Sequence, residues 1–330
     1  MLILSAAEVR QALPMGEAIA AMKPAFAAFS SGLAEMPLRS RLNVRKQGAL
    51  GLVMPVYMED PGGEALAVKV VSIFPRNLEK DLPLIHAAVL VLDPDNGRPL
   101  ALLEGSVLTA IRTGAASGAA TDILARPDCR TAAIFGAGVQ GRTQLEAICT
   151  VRRIETVWVC DPNPQRVDQF IQDMAGKGPI PKDLRAAQSP RQAISNADVI
   201  CTATTSKVPV FSNTDLKPGV HINGVGSYAP EMQEIPAETV QRARVVVDSR
   251  EAALSEAGDL IQPLHAGLIS TEHIHAELGE VIAGHKEART GPDQVTFFKS
   301  VGIAAQDAAA ARLAIAKAQE LQLGQVLQWP

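Results

Sequence analysis

The residues Gly136-Ala137-Gly138-Val139-Gln140-Gly141 follow a short apolar run, Ala132 to Phe135, and lead into a helical pattern. A second apolar run, Thr156 to Cys160, ends on Asp161. Glycines at these spacings bring main-chain N–H groups close to an anion. Gly136 permits a tight turn, Gly138 lets the backbone approach a pyrophosphate, and Gly141 lets the helix lie close on its strand. The helix start adds unpaired N–H groups and a positive dipole end, shared by Ala137, Val139 and Gln140. Asp161, about 20 residues past the last glycine, stands where an acid accepts hydrogen bonds from ribose hydroxyls and repels a ribose phosphate. The order strand, glycine turn, helix, strand, acid is that of a dinucleotide-binding βαβ unit, with NAD(H) preferred over NADP(H). The plain alternative for Asp161 is a helix N-cap. Thr202-Ala203-Thr204 and Val225-Gly226-Ser227 end two further apolar runs, and Ser300 follows a third. At the carboxyl ends of such strands they are expected to skirt the same ligand, with a simple polar loop as the alternative.

Two cations occur where apolar or small residues surround them. Lys69 interrupts ALAVKVVSI, and Arg112 lies in LTAIRTGAASGAATDIL. A lysine on a core-facing position is costly unless paired, whereas one on the solvent face is bland, and the strand pattern alone leaves both open. Arg39 and Arg41 alternate on one face of a strand, with solvent exposure as their ordinary reading. His86 opens an apolar strand, and a lone histidine is usually structural. The other histidines form no zinc-type spacing, and no metal is assigned.

The elements that must position these residues fall into two styles. From the N-terminus to residue 120 the pattern is α+β. It has one helix from Ser5 to Ser31, with Ser5 and Glu8 as a capping box, and strands at 39–44, 49–57, 65–73, 85–92 and 100–104. A helix over 106–124 follows. Residues 121–302 alternate strands and helices, which predicts a parallel sheet: an α/β Rossmann domain. A loop is expected between the helix ending at Met174 and the one starting at Pro190, and a helical, polar segment from 249 to about His285. A terminal helix, 303–322, is expected to pack back on the first domain, making it a discontinuous α+β domain of 1–120 and 303–330.

Of 330 residues, 20% are charged and 47% hydrophobic, so there is material for two cores and no case for disorder. A net charge of -4 and 4% aromatics give no footprint for nucleic acid or an anionic membrane. An anionic substrate must then be held by local cations. Four scattered cysteines suit a reducing compartment, and the start of the chain lacks the basic region of a secretory signal, so a cytoplasmic protein is expected.

Five segments in order carry a resemblance: ALAVKVV, HAAVLVLDPDNGRPLALLEGSVLTAIRTGAAS, IFGAGVQGRTQLEAI, INGVGSYAPEMQE and FKSVGIAAQDAAAA. The chain resembles the ornithine cyclodeaminase/mu-crystallin family along nearly its whole length. The resemblance implies a homodimer, an α+β dimerisation and substrate domain beside the Rossmann domain, and an active site between them. It implies that Lys69, Arg112 and Arg39 face the substrate, and that Arg112, Thr113, Gln140, Asp161, Thr202 and Val225 line the dinucleotide site. In the mu-crystallin-like branch a histidine near the nicotinamide precedes the long strand, and His86 matches it. Cyclodeaminases carry an Asp in the segment that here reads Gly224-Val225-Gly226-Ser227-Tyr228-Ala229-Pro230, and Tyr228 stands at that Asp position. A phenol with pKa near 10 is no carboxylate base, which favours a reductase of cyclic ketimine carboxylates such as pyrroline-2-carboxylate or piperideine-2-carboxylate. A cyclodeaminase, a hydroxyproline dehydratase, an alanine dehydrogenase and a non-catalytic NADPH-dependent binder are the alternatives within reach of the resemblance.

Overall fold

The structure is a computed structural model that describes residues 1–80 and 82–329, so Pro330, the end of the expected terminal segment, lies outside the described residues. The chain forms two compact units: Met1–Arg112 with Ile303–Pro330, and Thr113–Gly302.

In chain order the first unit contains β1 (Leu2–Leu4), α1 (Ala6–Ala12), α2 (Met15–Ser30), β2 (Ala34–Glu35), β3 (Ser40–Val44), β4 (Ala49–Asp60), β5 (Gly63–Ile73), β6 (Ile85–Leu92) and β7 (Pro99–Glu104). Helix α3 (Gly105–Leu124) gives its first residues to this unit and the rest to the second. The single helix expected over 5–31 is two, because Pro14 cannot donate the bond that would carry α1 into α2. The capping box is present: the Ser5 N–H donates to Glu8 Oε2 at 2.8 Å.

The second unit runs β8 (Thr131–Phe135), α4 (Val139–Val151), β9 (Thr156–Cys160), α5 (Pro164–Met174), β10 (Asp183–Ala186), α6 (Pro190–Ile194), β11 (Val199–Thr202), β12 (His221–Gly224), α7 (Ala237–Arg242), β13 (Arg244–Val247), α8 (Arg250–Glu256), α9 (Gly258–His265), β14 (Ile274–Glu277), α10 (Leu278–Ile282) and β15 (Thr296–Lys299). The chain then returns to the first unit with α11 (Ala304–Glu320) and β16 (Gln325–Val326).

The first unit's sheet has the order β16-β1-β7-β6-β5-β4-β2, with β3 also on β4; all its pairs are antiparallel except β1 with β7. One face is apolar and covered: on β5, Ala65, Ala67, Lys69 and Val71 are buried while Val70 is exposed. Helix α11 is tied to this unit by Arg312, whose Nη2 reaches both Asp60 oxygens at 2.6 Å, and by Lys317 on Glu17.

The second unit's sheet is parallel throughout, in the order β10-β9-β8-β11-β12-β15-β13-β14. Both faces are buried, as a parallel sheet requires. Side chains alternate along β8, so Ala133 and Phe135 enter one core and Ala132 and Ile134 the other. The chain leaves β8 for β9 and β10 on one side, then returns to β11 on the other. That reversal leaves a crevice at the carboxyl ends of β8 and β11, where such sheets take ligands. Two strands of this second sheet correct the sequence reading. β10 lies in the expected loop and β14 in the expected helical segment; each is four residues long on a sheet edge, too short for its alternation to show.

Candidate functional site

In the second unit, the glycine turn occupies the crevice. Gly136 has φ +97, a backbone that disfavours other residues, and a Cβ there would lie 2.5 Å from the Ala203 carbonyl oxygen. The turn after β8 and the loop after β11 therefore touch. Gly138 is the N-cap of α4, and a Cβ on it would meet nothing within 4 Å, so the space before the helix start is open. At Gly141 a Cβ would run into the Gly136 carbonyl oxygen and sit 3.3 Å from Ile134 Cγ2. Gly141→Ala should therefore lower the melting temperature, at a cost of about 1–3 kcal/mol as α4 moves off β8; an unchanged thermal unfolding curve would contradict this close fit.

Asp161 links β9 to the turn. Its Oδ2 accepts from the Ala137 N–H and its Oδ1 from the Asn163 N–H, both at 2.9 Å. The N-cap of α5 is Asn163, whose Oδ1 accepts from Gln165 and Arg166, so capping is not the work of Asp161. Val139 is exposed at the tip of the turn. Beside it, Gln140 Oε1 is buried with no hydrogen-bond partner among the described residues, an acceptor left for a donor the protein does not supply. An open helix start, a glycine cradle, an orphaned acceptor and a carboxylate together fit a dinucleotide.

The loops after β11 and β12 converge on one carboxylate that sequence reading passed over. Glu234 Oε1 accepts from the Thr204 N–H and hydroxyl at 2.6 and 2.8 Å. Its Oε2 accepts from the Gly226 and Ser227 N–H groups at 2.7 and 3.1 Å and from the Thr202 hydroxyl at 3.0 Å. The Val225 N–H donates to the Thr202 carbonyl. Burial, and next the Asp259 carboxylate, push the Glu234 acid above its usual range, against the pull of Lys299. Tyr228 follows, half-buried, and burial raises its phenol further, so it stays protonated. The Ser300 hydroxyl is held by Asp248 Oδ2 at 2.7 Å, and the Thr113 carbonyl accepts from Gln144 Nε2. Gly114 abuts the Thr143 backbone, where a Cβ would lie 2.5 Å from the carbonyl oxygen, so the small residues of α3 serve close helix packing.

In the first unit, Lys69 lies on the buried face of β5, opposite Met54 of β4 and Val89 of β6. Lys69 is 2% exposed. Its Nζ is 2.6 Å from Oδ2 of Asp307, in the first turn of α11. Arg112 shares that carboxylate: its Nε donates to Asp307 Oδ1 at 2.9 Å and its Nη1 to Gln306 Oε1 at 2.7 Å. Two buried cations on one buried anion leave a surplus positive charge. Burial pushes the Lys69 ammonium down to about 7, against the pull of Asp307 and with help from Arg112 and Arg39. Burial alone would raise the Asp307 carboxyl, but the Lys69 and Arg112 charges hold it below its usual range. The group can thus take an anion and hold a proton that is labile near neutral pH. His86 is elsewhere: it pairs with Ser72, is exposed, and by strand alternation faces away from the buried side that carries Lys69.

Asp307, Gln306 and Glu234 were the residues missed. The signal for Asp307 was a single acid inside IAAQDAAAA, where a lone charge among alanines must be paired. Among the described residues no group of three or more His, Cys, Asp or Glu is placed to hold a metal ion.

The chain is similar to several known proteins along its length. Over 330 residues the chain is 42% identical to a Delta(1)-pyrroline-2-carboxylate reductase of Bacillus cereus, covering 100% of each. It is 37% identical to the ketimine reductase mu-crystallin of Mus musculus over 315 residues, 94% of this chain and 95% of the other. The solved structure of Thermococcus litoralis Delta(1)-pyrroline-2-carboxylate reductase in complex with NADH and L-proline superposes with a TM-score of 0.94 at 44% identity, covering 99% of this chain and 100% of that one. The model of the ornithine cyclodeaminase/mu-crystallin family matches residues 1–322, and the chain belongs to that family.

Proposed function

We propose that the protein is an NAD(P)H-dependent reductase of a cyclic ketimine carboxylate, converting pyrroline-2-carboxylate or its six-membered homologue to L-proline or L-pipecolate. The observation that carries this is the Lys69–Asp307–Arg112 group, two buried cations on one carboxylate, in a chain so similar to pyrroline-2-carboxylate reductases. The first unit supplies the substrate groups. Its surplus charge suits a substrate carboxylate, for which Arg112 and Arg39 are the donors. The Lys69 ammonium supplies the proton that the imine nitrogen gains. Tyr228 remains a phenol at neutral pH and has no carboxylate to offer for amine deprotonation, which sets the chain apart from cyclodeaminases.

The second unit supplies the nucleotide groups: Gly136 to Gly141 for the pyrophosphate, Asp161 for the ribose, and the 202–204 and 225–227 loops for the remainder. When bound, the dinucleotide provides the hydride. Asp161 favours NADH over NADPH.

A homodimer is part of the reading. On the sheet face opposite Lys69, Leu42, Val44 and Val70 are exposed, an apolar surface that fits a second copy. Localisation is proposed as cytoplasmic: all four cysteines are free, and burial pushes the Cys129 and Cys149 thiols up to about 11 and about 12. Among the described residues no helix is long and apolar enough to cross a membrane.

The test is NADH and NADPH absorbance loss over a panel: pyrroline-2-carboxylate, piperideine-2-carboxylate, and pyruvate with ammonia. L-ornithine with NAD is followed by ammonia release. Turnover is expected with the cyclic imines and favours NADH. Ammonia from ornithine without imine reduction would overturn the reading in favour of a cyclodeaminase.

A further inference from the structure

We propose that Glu234 is a positioning residue of the nucleotide site, one buried carboxylate that fixes two separate loops in register with each other. The inference rests on the reading of 202–204 and 225–227 as nucleotide-facing. Strands β11 and β12 are paired from Val199↔His221 to Thr202↔Gly224, and beyond those ends the ladder no longer holds the chain. Glu234 takes over there, with five donors divided between its two oxygens, so that each oxygen serves a different loop's backbone N–H groups. Gly226 completes the contact: a Cβ there would lie 2.5 Å from the Thr204 nitrogen and would collide with Glu234 Oε1.

Glu234 is itself anchored. Asp259 Oδ1 accepts from the Glu234 and Ile235 N–H groups at 2.6 and 3.0 Å, while Asp259 Oδ2 pairs with Lys299 Nζ at 3.0 Å. Glu234, Asp259 and Lys299 are all fully buried. A buried ionic group of this kind rarely adds stability over an apolar core of the same volume. Its placement directly beneath the two loops points to loop geometry as what it supplies.

Glu234→Gln tests this, because the amide has one acceptor oxygen. Whichever way it turns, its NH2 group faces a backbone N–H and one loop is released. The Kd for NADH, measured by fluorescence titration of folded protein, should rise about tenfold or more, the loss of one charge-assisted hydrogen bond. The KM for the imine should stay within about twofold, since its groups lie on the first unit. Thr204→Val, which removes a hydroxyl donor and keeps the backbone bond, should give a smaller rise in the same Kd, and serves if Glu234→Gln does not fold. Wild-type NADH affinity in the folded variants, even with a lowered melting temperature, would overturn the positioning role. If wild-type protein binds neither NADH nor NADPH, the functional reading itself fails.

Discussion

Lys69→Met is expected to lower kcat/KM for cyclic ketimine reduction by about 10²- to 10⁴-fold, the range for loss of a positioned proton donor. NADH affinity should stay close to wild type, since the glycine turn, Asp161 and the Glu234-held loops all belong to the second unit. The methionine fills the same space on the buried face of β5 without a charge, so the fold should survive. The wild-type pH profile carries the same signature. With the ammonium pushed down to about 7, the fraction able to give a proton falls as pH rises through that value, and kcat/KM should fall with it. A profile flat from pH 6 to 9, or unchanged turnover in Lys69→Met, would remove Lys69 from the chemistry.

Asp307→Asn is expected to cost about 3–5 kcal/mol of stability, because it leaves Lys69 and Arg112 buried without their counterion. For a chain of this size the melting temperature should fall on the order of 10 °C. The sign with pH is specific. A carboxyl whose pKa is held low in the folded state contributes stability above its unfolded value and loses it as pH falls through the folded value. The acid-side loss of wild-type stability should therefore shrink in Asp307→Asn. Without the carboxylate, burial, Arg112 and Arg39 all act against the Lys69 ammonium, so it should form only at lower pH and activity should move to the acid side. Denaturant unfolding across pH and a pH–rate series check both. Equal stability at neutral pH would contradict the buried triad.

Much of this was legible in the residues, for local reasons. The glycine turn reads from six positions because a positive φ and close helix packing are demands on single residues, and the parallel sheet reads from the unbroken apolar runs it buries on both faces. Lys69 was only half legible: ALAVKVVSI shows two faces but not which one is covered. The answer lies in α11, whose Asp307 is 195 residues beyond Arg112 in the chain, and no local pattern links them. The same holds for Glu234, where the acid looks like a loop residue until five donors close on it. The short strands β1, β2, β10, β14 and β16 were missed because each owes its strand character to its neighbour rather than to its own few residues. Pro14, which splits the first helix, was legible and went unread.

Product analysis decides whether the surplus buried charge on Lys69 and Arg112 serves reduction of an imino acid. Purified protein is incubated with NADH and pyrroline-2-carboxylate, and the products are separated on a chiral column. L-proline should form mole for mole with the NADH consumed, and almost none should form from Lys69→Met. NADH left intact and no proline from the wild-type protein, despite tight NADH binding, would contradict it.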